Sequence, residues 1–412
     1  MSEPNVIGRQ LKRLRNERGL TQAELAERAG VSPDLIAKLE QGTRQSARLT
    51  SVTRLAQALG APVSELLDRR PRLDRAADAA SLLAVRDALL FPSALPGIDP
   101  ADDGGEATAP DQLRAAVREG WLHYWDGQFG RLATMLPGLI GEARLTVRVA
   151  GAEAASHLAQ AYQLAACLNV HMGAEDLAAI GAERAVNAAA QGSDELQWAT
   201  LQGTYSWVLL AQGRLDDAER HAAGVAQQIE PSLSTARPEH LTAWGALLLT
   251  ALAPAAAAGR TAEAGEYISL ARAGAARLDV DRHDYWTNFG PTQVAMQETH
   301  AYTVLGHPRR ALRAAQGVRR EDLLPISWGR YHLDVARAQL DSRRDGAALA
   351  ALQVAHDTSA EWFRHQGVAR SLVAELIDRR RRLPPALRAL ARSLDLGQDG
   401  RTPHAGRGYG SV

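Results

Sequence analysis

The sequence predicts an all-α protein, with an N-terminal unit of five short helices followed by a long array of helical hairpins. Apolar residues recur at helical spacing along most of the 412 residues. Aromatic residues make up only 5% of the chain and alanine is abundant, a composition that favours close-packed helices over sheets. Breaks that often carry glycine separate the helical patterns at similar intervals, as hairpins of repeated length require.

Residues 6–67 contain five short helical patterns with almost no spacer between them. Thr21-Gln22-Ala23-Glu24 is a capping box for the second helix, and Ser32-Pro33 supplies an N-cap and a first-turn proline for the third. The short stretch Ala29-Gly30-Val31 joins these two helices. The arrangement predicts a helix-turn-helix, whose second helix has the width that fits the major groove of DNA.

The third helical pattern has an inward and an outward face. Its inward face consists of Leu35, Ile36 and Leu39. Its outward face carries residues without a core role, which are Pro33, Asp34, Lys38 and Gln41.

The charge distribution agrees with a nucleic-acid role for this end of the chain. Residues 1–72 hold 13 Lys/Arg against 8 Asp/Glu, and the remainder of the chain is net acidic.

Residues 11–42, LKRLRNERGLTQAELAERAGVSPDLIAKLEQG, resemble the phage-repressor-type helix-turn-helix family, also described as Cro-like or xenobiotic-response-element type. Together with the repetitive remainder and with FGPTQV at 289–294, the chain resembles actinobacterial regulators of this family. The resemblance implies a regulator of transcription that binds double-stranded DNA. The single cysteine favours a reducing, cytoplasmic compartment. One DNA-binding unit makes too few contacts for tight, specific binding, so we expect a homodimer at a near-palindromic operator. In such a dimer the two recognition helices lie roughly 34 Å apart on one face of the DNA.

The resemblance also implies roles for particular residues. Arg15 and Glu40 match a structural ion pair between the first and third helices. The positions that match DNA contacts are Gln22, Pro33, Asp34, Lys38 and Arg48. Three nearby residues, Ser32, Gln41 and Arg44, are further candidate DNA contacts. Lys38 is expected to donate to guanine, whereas Gln22, Arg44 and Arg48 are expected to contact the DNA backbone. Asp34 has two interpretations, since it either accepts from cytosine or only complements the positive end of its helix.

The chain beyond residue 70 divides by composition. Residues 71–110 predict a connector helix and a flexible linker, residues 111–396 the helical hairpins, and residues 397–412 a disordered tail. The breaks that carry glycine fall roughly 40 to 47 residues apart, at Gly127, Gly173, Gly213, Gly259 and Gly306. A further break lacks glycine and runs through Arg343-Arg344-Asp345. About six helix pairs of this length predict an α-solenoid like that of tetratricopeptide repeats, whose usual period is ~34 residues.

Polar and aromatic side chains recur on the first helix of several pairs, the helix expected to line the concave side of the solenoid. The residues predicted to bind an effector, either a peptide or a small molecule, are Gln202, Tyr205, Trp244, Gln293, Gln297, His300, Arg330 and Tyr331. Alternatively, the eight tryptophans fill gaps between helices, or the solenoid docks a protein partner that controls the regulator. The helix start at 289–292 either offers free amides to an anion or is a plain helix start.

No sequence motif indicates an enzyme, since the chain has no P-loop, dinucleotide-type glycine fingerprint, HExxH or GxSxG. An enzyme with a vestigial DNA-binding module is the rival hypothesis, but no acid–base or nucleophile constellation supports it. Cys167 is the single cysteine and the histidines lack ligand-like spacing, so we expect neither a metal site nor a cofactor. The longest apolar run, 247–258, contains Pro254 and is expected to be too short to span a membrane.

Overall fold

The computed structural model describes residues 6–43, 49–61, 66, 76–90, 107–380 and 382–396. Within these ranges every regular element is a helix, and the only pairing of extended backbone is an isolated bridge between Arg282 and Phe289. The predicted all-α fold class is therefore confirmed.

The N-terminal unit, residues 6–61, is called the head below. Its helices are α1 (Val6–Glu17), α2 (Gln22–Ala29), α3 (Pro33–Glu40) and α4 (Leu49–Leu59). Their shared core contains the fully or almost fully buried side chains of Leu11, Leu25, Ile36, Leu39 and Leu55. Helices this short are marginal in isolation, so the burial of each such side chain, worth ~1.5–3 kcal/mol, holds them together. Of the predicted fifth helix, only Leu66 lies within the described residues, and it is buried in the same core.

A connector helix, α5 (Ala76–Leu90), follows the head. Val85 and Leu89 are fully buried against the first helix pair of the remaining chain. The carbonyl of Ala88 accepts a hydrogen bond from Arg144 Nη2 at 2.6 Å, which fixes the end of the connector to that pair. The predicted linker beyond α5, up to residue 106, and the predicted tail at 397–412 lie outside the described residues.

The described part of residues 107–396 holds six consecutive helix pairs and three closing helices. The pairs are α6 (Pro110–Trp125) with α7 (Phe129–Ala150), α8 (Ala152–Met172) with α9 (Glu175–Ala189), α10 (Glu195–Ala211) with α11 (Leu215–Gln228), α12 (Pro238–Ala258) with α13 (Thr261–Ala275), α14 (Pro291–Val304) with α15 (Pro308–Ala314), and α16 (Pro325–Asp341) with α17 (Asp345–Thr358). The closing helices are α18 (Ala360–Arg364), α19 (Gly367–Asp378) and α20 (Pro385–Ser393).

The turns within the pairs explain the glycine pattern. The turn glycines with φ between 69° and 82°, in the left-handed region, are Gly127, Gly173, Gly213, Gly259 and Gly306. Only glycine adopts this conformation without a steric penalty, so it marks the point where each first helix ends. In the sixth pair, Arg343 takes the left-handed conformation with φ of 62°. The five glycine breaks predicted from the sequence are therefore real helix ends, and the sixth break uses a strained arginine.

Neighbouring pairs pack in a regular order. Each first helix lies beside the first helix of the next pair, and each second helix also packs against that next first helix. Small residues allow close approach of the two helices within a pair. For example, a Cβ added at Gly181 would come within 3.1 Å of the Ala166 backbone nitrogen. The abundance of alanine therefore reflects the short distances between helix backbones.

The end of the array returns to its beginning. The carboxylate of Glu361 accepts the backbone N–H of Gly130 at 2.6 Å, and the Ser359 hydroxyl donates to the Gly127 carbonyl at 3.3 Å. Trp362, which is 2% exposed, packs beside the same Gly127 turn. Helix α16 also contacts α6. The first and last pairs therefore share one core.

Helix α12 is longer than its apolar run suggests. Its 21 residues, Pro238–Ala258, are long and apolar enough to cross a membrane by length and composition, although the apolar run at 247–258 is shorter. However, 72% of its most apolar window is buried inside the protein. A helix that is apolar on all sides and surrounded by other helices is typical of a protein core.

Candidate nucleic-acid interface

The turn between α2 and α3 is fixed by local hydrogen bonds. Gly30 lies in the left-handed region with φ of 60°, and its N–H donates to carbonyls in the last turn of α2. The Ser32 hydroxyl then accepts the N–H of Leu35 at 3.2 Å and begins α3. Pro33 occupies the first helical position, where no backbone donor is needed. The sequence thus determines both the angle and the starting point of α3.

The two faces of α3 differ in exposure. Ile36 and Leu39 are fully buried. The side chains that face solvent are Pro33, Asp34, Lys38 and, directly after the helix, Gln41. Lys38 Nζ lies 2.8 Å from Asp34 Oδ2, but their side chains are 52% and 67% exposed. An exposed pair of this kind contributes little energy, so Lys38 is able to exchange Asp34 for an acceptor on DNA.

A buried hydrogen-bond network fixes the orientation of α3. Arg15 Nε and Nη2 donate to the two carboxylate oxygens of Glu40 at 2.7 and 2.9 Å. Arg15 Nη1 donates to the Leu20 carbonyl, and the amide of Gln22 donates to Glu40 Oε2 at 2.8 Å. The hydrogen bond to Glu40 raises the pKa of Arg15. Since the Glu40 side chain is only 3% exposed, this network joins the end of α3 to α1 and α2.

The remaining candidate DNA-contact residues have different surroundings. Gln22 is partly buried and bound to Glu40, so it links α2 to α3 at the edge of the exposed face. The Ser32 hydroxyl is occupied as the N-cap of α3. Gln41 is the exposed C-cap residue. Arg44 and Arg48 lie outside the described residues.

The predicted effector residues do not form one group. Gln202 and His221 are hydrogen-bonded at 2.8 Å, and the ring of Tyr205 lies edge-on to His221 with centroids 5.5 Å apart. Separately, His300 Nδ1 lies 3.0 Å from Asp334 Oδ1, and Arg330 Nη2 lies 3.3 Å from the same His300 nitrogen. Burial opposes ionisation of Asp334, but His300 and Arg330 outweigh it and lower its pKa.

Two of the predicted effector residues, Trp244 and Tyr331, are buried. Trp244 is 3% exposed and packs in the core against the backbone of Gly274. Tyr331 is 9% exposed, and its hydroxyl donates to the Ala315 carbonyl at 3.0 Å. Neither side chain lies in an open groove, because the packing of neighbouring helices covers both. Gln293 is 6% exposed, whereas Gln297 is only partly buried.

Of the two interpretations of the start of α14, the hydrogen bonds favour a plain helix start. The carboxylate of Asp281 accepts the backbone N–H groups of Thr292 and Gln293 at 2.9 and 2.7 Å. Burial raises the pKa of Asp281 even though these two amides stabilise its charged form. The amides at this helix start are therefore not free for an external anion.

Residues 283–288 were not predicted as part of any site. The indole N–H of Trp286 donates to Gln160 Oε1 at 3.0 Å, and its ring stacks on Trp121 with centroids 5.5 Å apart. The adjacent aromatic residues Tyr285 and Trp286, placed in a break between helices, are the sequence signal that points to this segment.

A capped two-helix turn that presents a braced, polar and exposed second helix defines a DNA-binding helix-turn-helix module. Residues 6–69 match the helix-turn-helix domain family. The uncharacterized HTH-type transcriptional regulator y4dJ of Sinorhizobium fredii is 40% identical over 67 residues, which are 16% of this chain and 86% of that protein. No solved structure matches the chain. The chain therefore belongs to the helix-turn-helix transcriptional regulators.

Proposed function

We propose that this chain is a cytoplasmic, sequence-specific regulator of the Cro-like type that reads a near-palindromic operator as a homodimer. The observation that carries the proposal is the exposed face of α3, which carries Asp34 in its first turn, Lys38 in its last turn and Gln41 directly after it, on a helix whose start is fixed by Ser32 and Pro33. One such helix makes few base contacts, so tight and specific binding requires two copies on one face of the DNA.

We further propose that residues 111–396 form a tetratricopeptide-like solenoid that binds an effector and mediates dimerisation. The repeated order of first and second helices supports the solenoid assignment. Effector binding is proposed to alter the curvature of the array and thereby the placement of the two heads. A difference of ~1–3 kcal/mol in effector affinity between the two states is enough to change operator occupancy.

The contact between the head and the array supports this coupling. Helix α4 lies against α12, and the end of Arg54 lies close to Gly259 in the turn of the fourth pair. An open cleft of about 990 Å³ separates the end of α4 from the turns at 173–177 and 212–217. A change in the spacing of these turns is therefore expected to shift the surface against which the head packs.

Selection of DNA fragments bound by the full-length protein, followed by sedimentation of the resulting complex, tests the proposal. We expect two half-sites in inverted order, centred about one helical turn apart, with two chains per site. A single half-site with one chain bound would contradict the dimer. Binding without sequence preference would contradict the reading role of α3.

A further inference from the structure

The segment between α13 and α14 forms a closed loop, and its end enters the row of first helices. Arg282 and Phe289 exchange two backbone hydrogen bonds of 2.8 and 3.1 Å, which isolate residues 283–288 as a tip. Within the tip, His283 Nδ1 and Asn288 Oδ1 lie 2.6 Å apart. Phe289 is fully buried against Gly245, so the base of the loop is firmly anchored.

The tip contacts four earlier pairs in succession. Asp284 accepts from the Thr242 hydroxyl of α12 at 2.9 Å. The hydroxyl of Tyr285 interacts with Asp194, the N-cap residue of α10. Trp286 donates to Gln160 of α8 and stacks on Trp121 of α6. The tip, which belongs to the connection between the fourth and fifth pairs, therefore crosses the first helices of the preceding four.

These contacts resemble a ligand in its site more than a packed core element. Three side chains of the tip reach four different helices. His283 is exposed and residues 284–288 are half-buried, whereas a packed core element is fully buried. Recognition depends on a planar ring surface at Trp121, an amide acceptor at Gln160 and a carboxylate at Asp194, groups that suit an indole next to a phenol. The indole N–H of Trp121 is buried, and it finds no acceptor among the described residues.

The backbone of the tip is strained. Tyr285 and Trp286 both lie in the left-handed region, with φ of 53° and 60°, and neither is glycine. Such conformations persist only where surrounding contacts impose them, and they are concentrated at ligand clamps and switch regions. Release of the tip relieves this strain, which favours exchange with an external ligand.

We infer that residues 283–288 are a built-in occupant of a peptide-binding groove along α6, α8, α10 and α12, and that a peptide with an adjacent tyrosine and tryptophan displaces them. This inference deepens the proposed function, because it names the effector class and the groove. Displacement also removes the contacts of the tip with α6, α8 and α10, so that the fifth pair keeps only its direct packing on α12 and α13, and we propose that this changes the curvature of the array.

Replacement of residues 283–288 by a glycine-serine segment empties the groove for a binding test. The probe is a fluorescent cyclic peptide with the sequence of residues 282–289, RHDYWTNF. We expect the emptied variant to bind this peptide at least tenfold more tightly than the intact chain. Substitution of the peptide tryptophan by alanine, or Gln160→Leu in the emptied variant, should weaken binding. Absence of binding by an emptied variant of native helical content, or equal binding by both proteins, overturns the inference.

A second measurement covers the case in which the emptied variant fails to fold. In the otherwise intact chain, Gln160→Leu should increase amide hydrogen exchange in residues 283–288 while α8 and α12 keep their protection. Increased exchange throughout those helices would show a purely structural latch and would overturn the inference. Both measurements are independent of DNA, so their failure is distinguishable from failure of operator binding.

Discussion

Glu40 joins three helices through one carboxylate. It accepts hydrogen bonds from Arg15 and Gln22, and its side chain is almost completely buried. A buried carboxylate without partners is destabilising by several kcal/mol, so the fold needs Arg15, Gln22 and Glu40 together. Substitution of any of them acts on the orientation of α3 before it acts on DNA contacts.

The exposed lysine of α3 gives the first prediction. Lys38→Ala should weaken binding to the selected operator by ~1–3 kcal/mol, because a base-edge acceptor loses its donor, while binding to unrelated DNA changes much less. Fluorescence anisotropy with operator and scrambled duplexes at one salt concentration measures both effects.

The chain offers a matched control for this substitution. Lys12, the only other lysine, is exposed on α1. Lys12→Ala removes the same charge, so it should leave the ratio of specific to nonspecific affinity unchanged. An equal loss of that ratio in both variants would assign the effect of Lys38 to general electrostatics.

His332 gives a prediction on pH. Burial, together with the charge of Arg320, lowers its pKa to about 4 from the ordinary 6.5. At a pH between these two values, His332 is protonated in the unfolded chain and neutral in the folded chain. The free energy of unfolding therefore falls as the pH drops from 6.5 towards 4.

Replacement of this histidine should flatten the pH profile. His332→Phe should reduce the loss of stability between pH 7 and pH 5 by on the order of 1 kcal/mol, measured as the shift in thermal midpoint. His307→Phe, at an exposed position, serves as the control. If both variants follow the wild-type profile, other groups cause the acid sensitivity.

Residue-scale features differ in how far the sequence predicts them. The exposed face of α3 follows from helical periodicity within eight residues, and the structure places Asp34 and Lys38 on it. The role of Trp286 could not be predicted in this way, because its partner Gln160 is 126 residues away in sequence. The burial of Trp244 could not be predicted for a related reason, since periodicity does not tell which face of a helix a neighbouring pair covers.

At the scale of elements, helix ends are the best-predicted feature. Glycine is the residue that adopts positive φ at low cost, so the ends at Gly173, Gly213 and Gly259 are encoded locally. Long-range packing is not encoded in this way. The return of α18 to the first pair depends on contacts such as Glu361 with Gly130, 231 residues apart, which no local pattern contains.

The turn without glycine gives a prediction on stability. Arg343 is exposed and has φ of 62°, a conformation that costs a residue with a Cβ roughly 1–2 kcal/mol. Arg343→Gly should stabilise the protein by about 0.5–1 kcal/mol, after the larger entropy of the unfolded glycine chain is subtracted. Denaturant titration followed by circular dichroism measures the change.

The reciprocal substitution tests the same argument. Gly306 occupies the equivalent turn of the preceding pair with φ of 79°. Gly306→Arg should therefore destabilise the protein by about 1 kcal/mol. If Arg343→Gly does not stabilise the protein, or if Gly306→Arg stabilises it as well, contacts of the arginine side chain outweigh the backbone conformation.

At the scale of the whole molecule, closure of the array changes its cooperativity. An open array of repeats is stabilised mainly between neighbours, so its ends unfold independently. Here the last helices share a core with α6 and α7, and the same core includes Trp362 and Phe129. Local unfolding at one end of the array is therefore expected to spread directly to its other end.

Trp362 lies at the contact between the two ends of the array, and its substitution gives the final prediction. The side chain lies between Gly127 of the first pair and Gly329 of α16, where an added Cβ would come within 2.8 and 2.7 Å of it. Trp362→Ala should cost ~3–5 kcal/mol and should raise hydrogen exchange in α6 and α7 as well as in α16 to α19. Trp328→Ala removes a ring that packs near Tyr331 instead, so its effect should stay within α14 to α16. If exchange in α6 and α7 is unchanged in the Trp362 variant, the two ends are merely adjacent, and the array unfolds as an open chain of pairs.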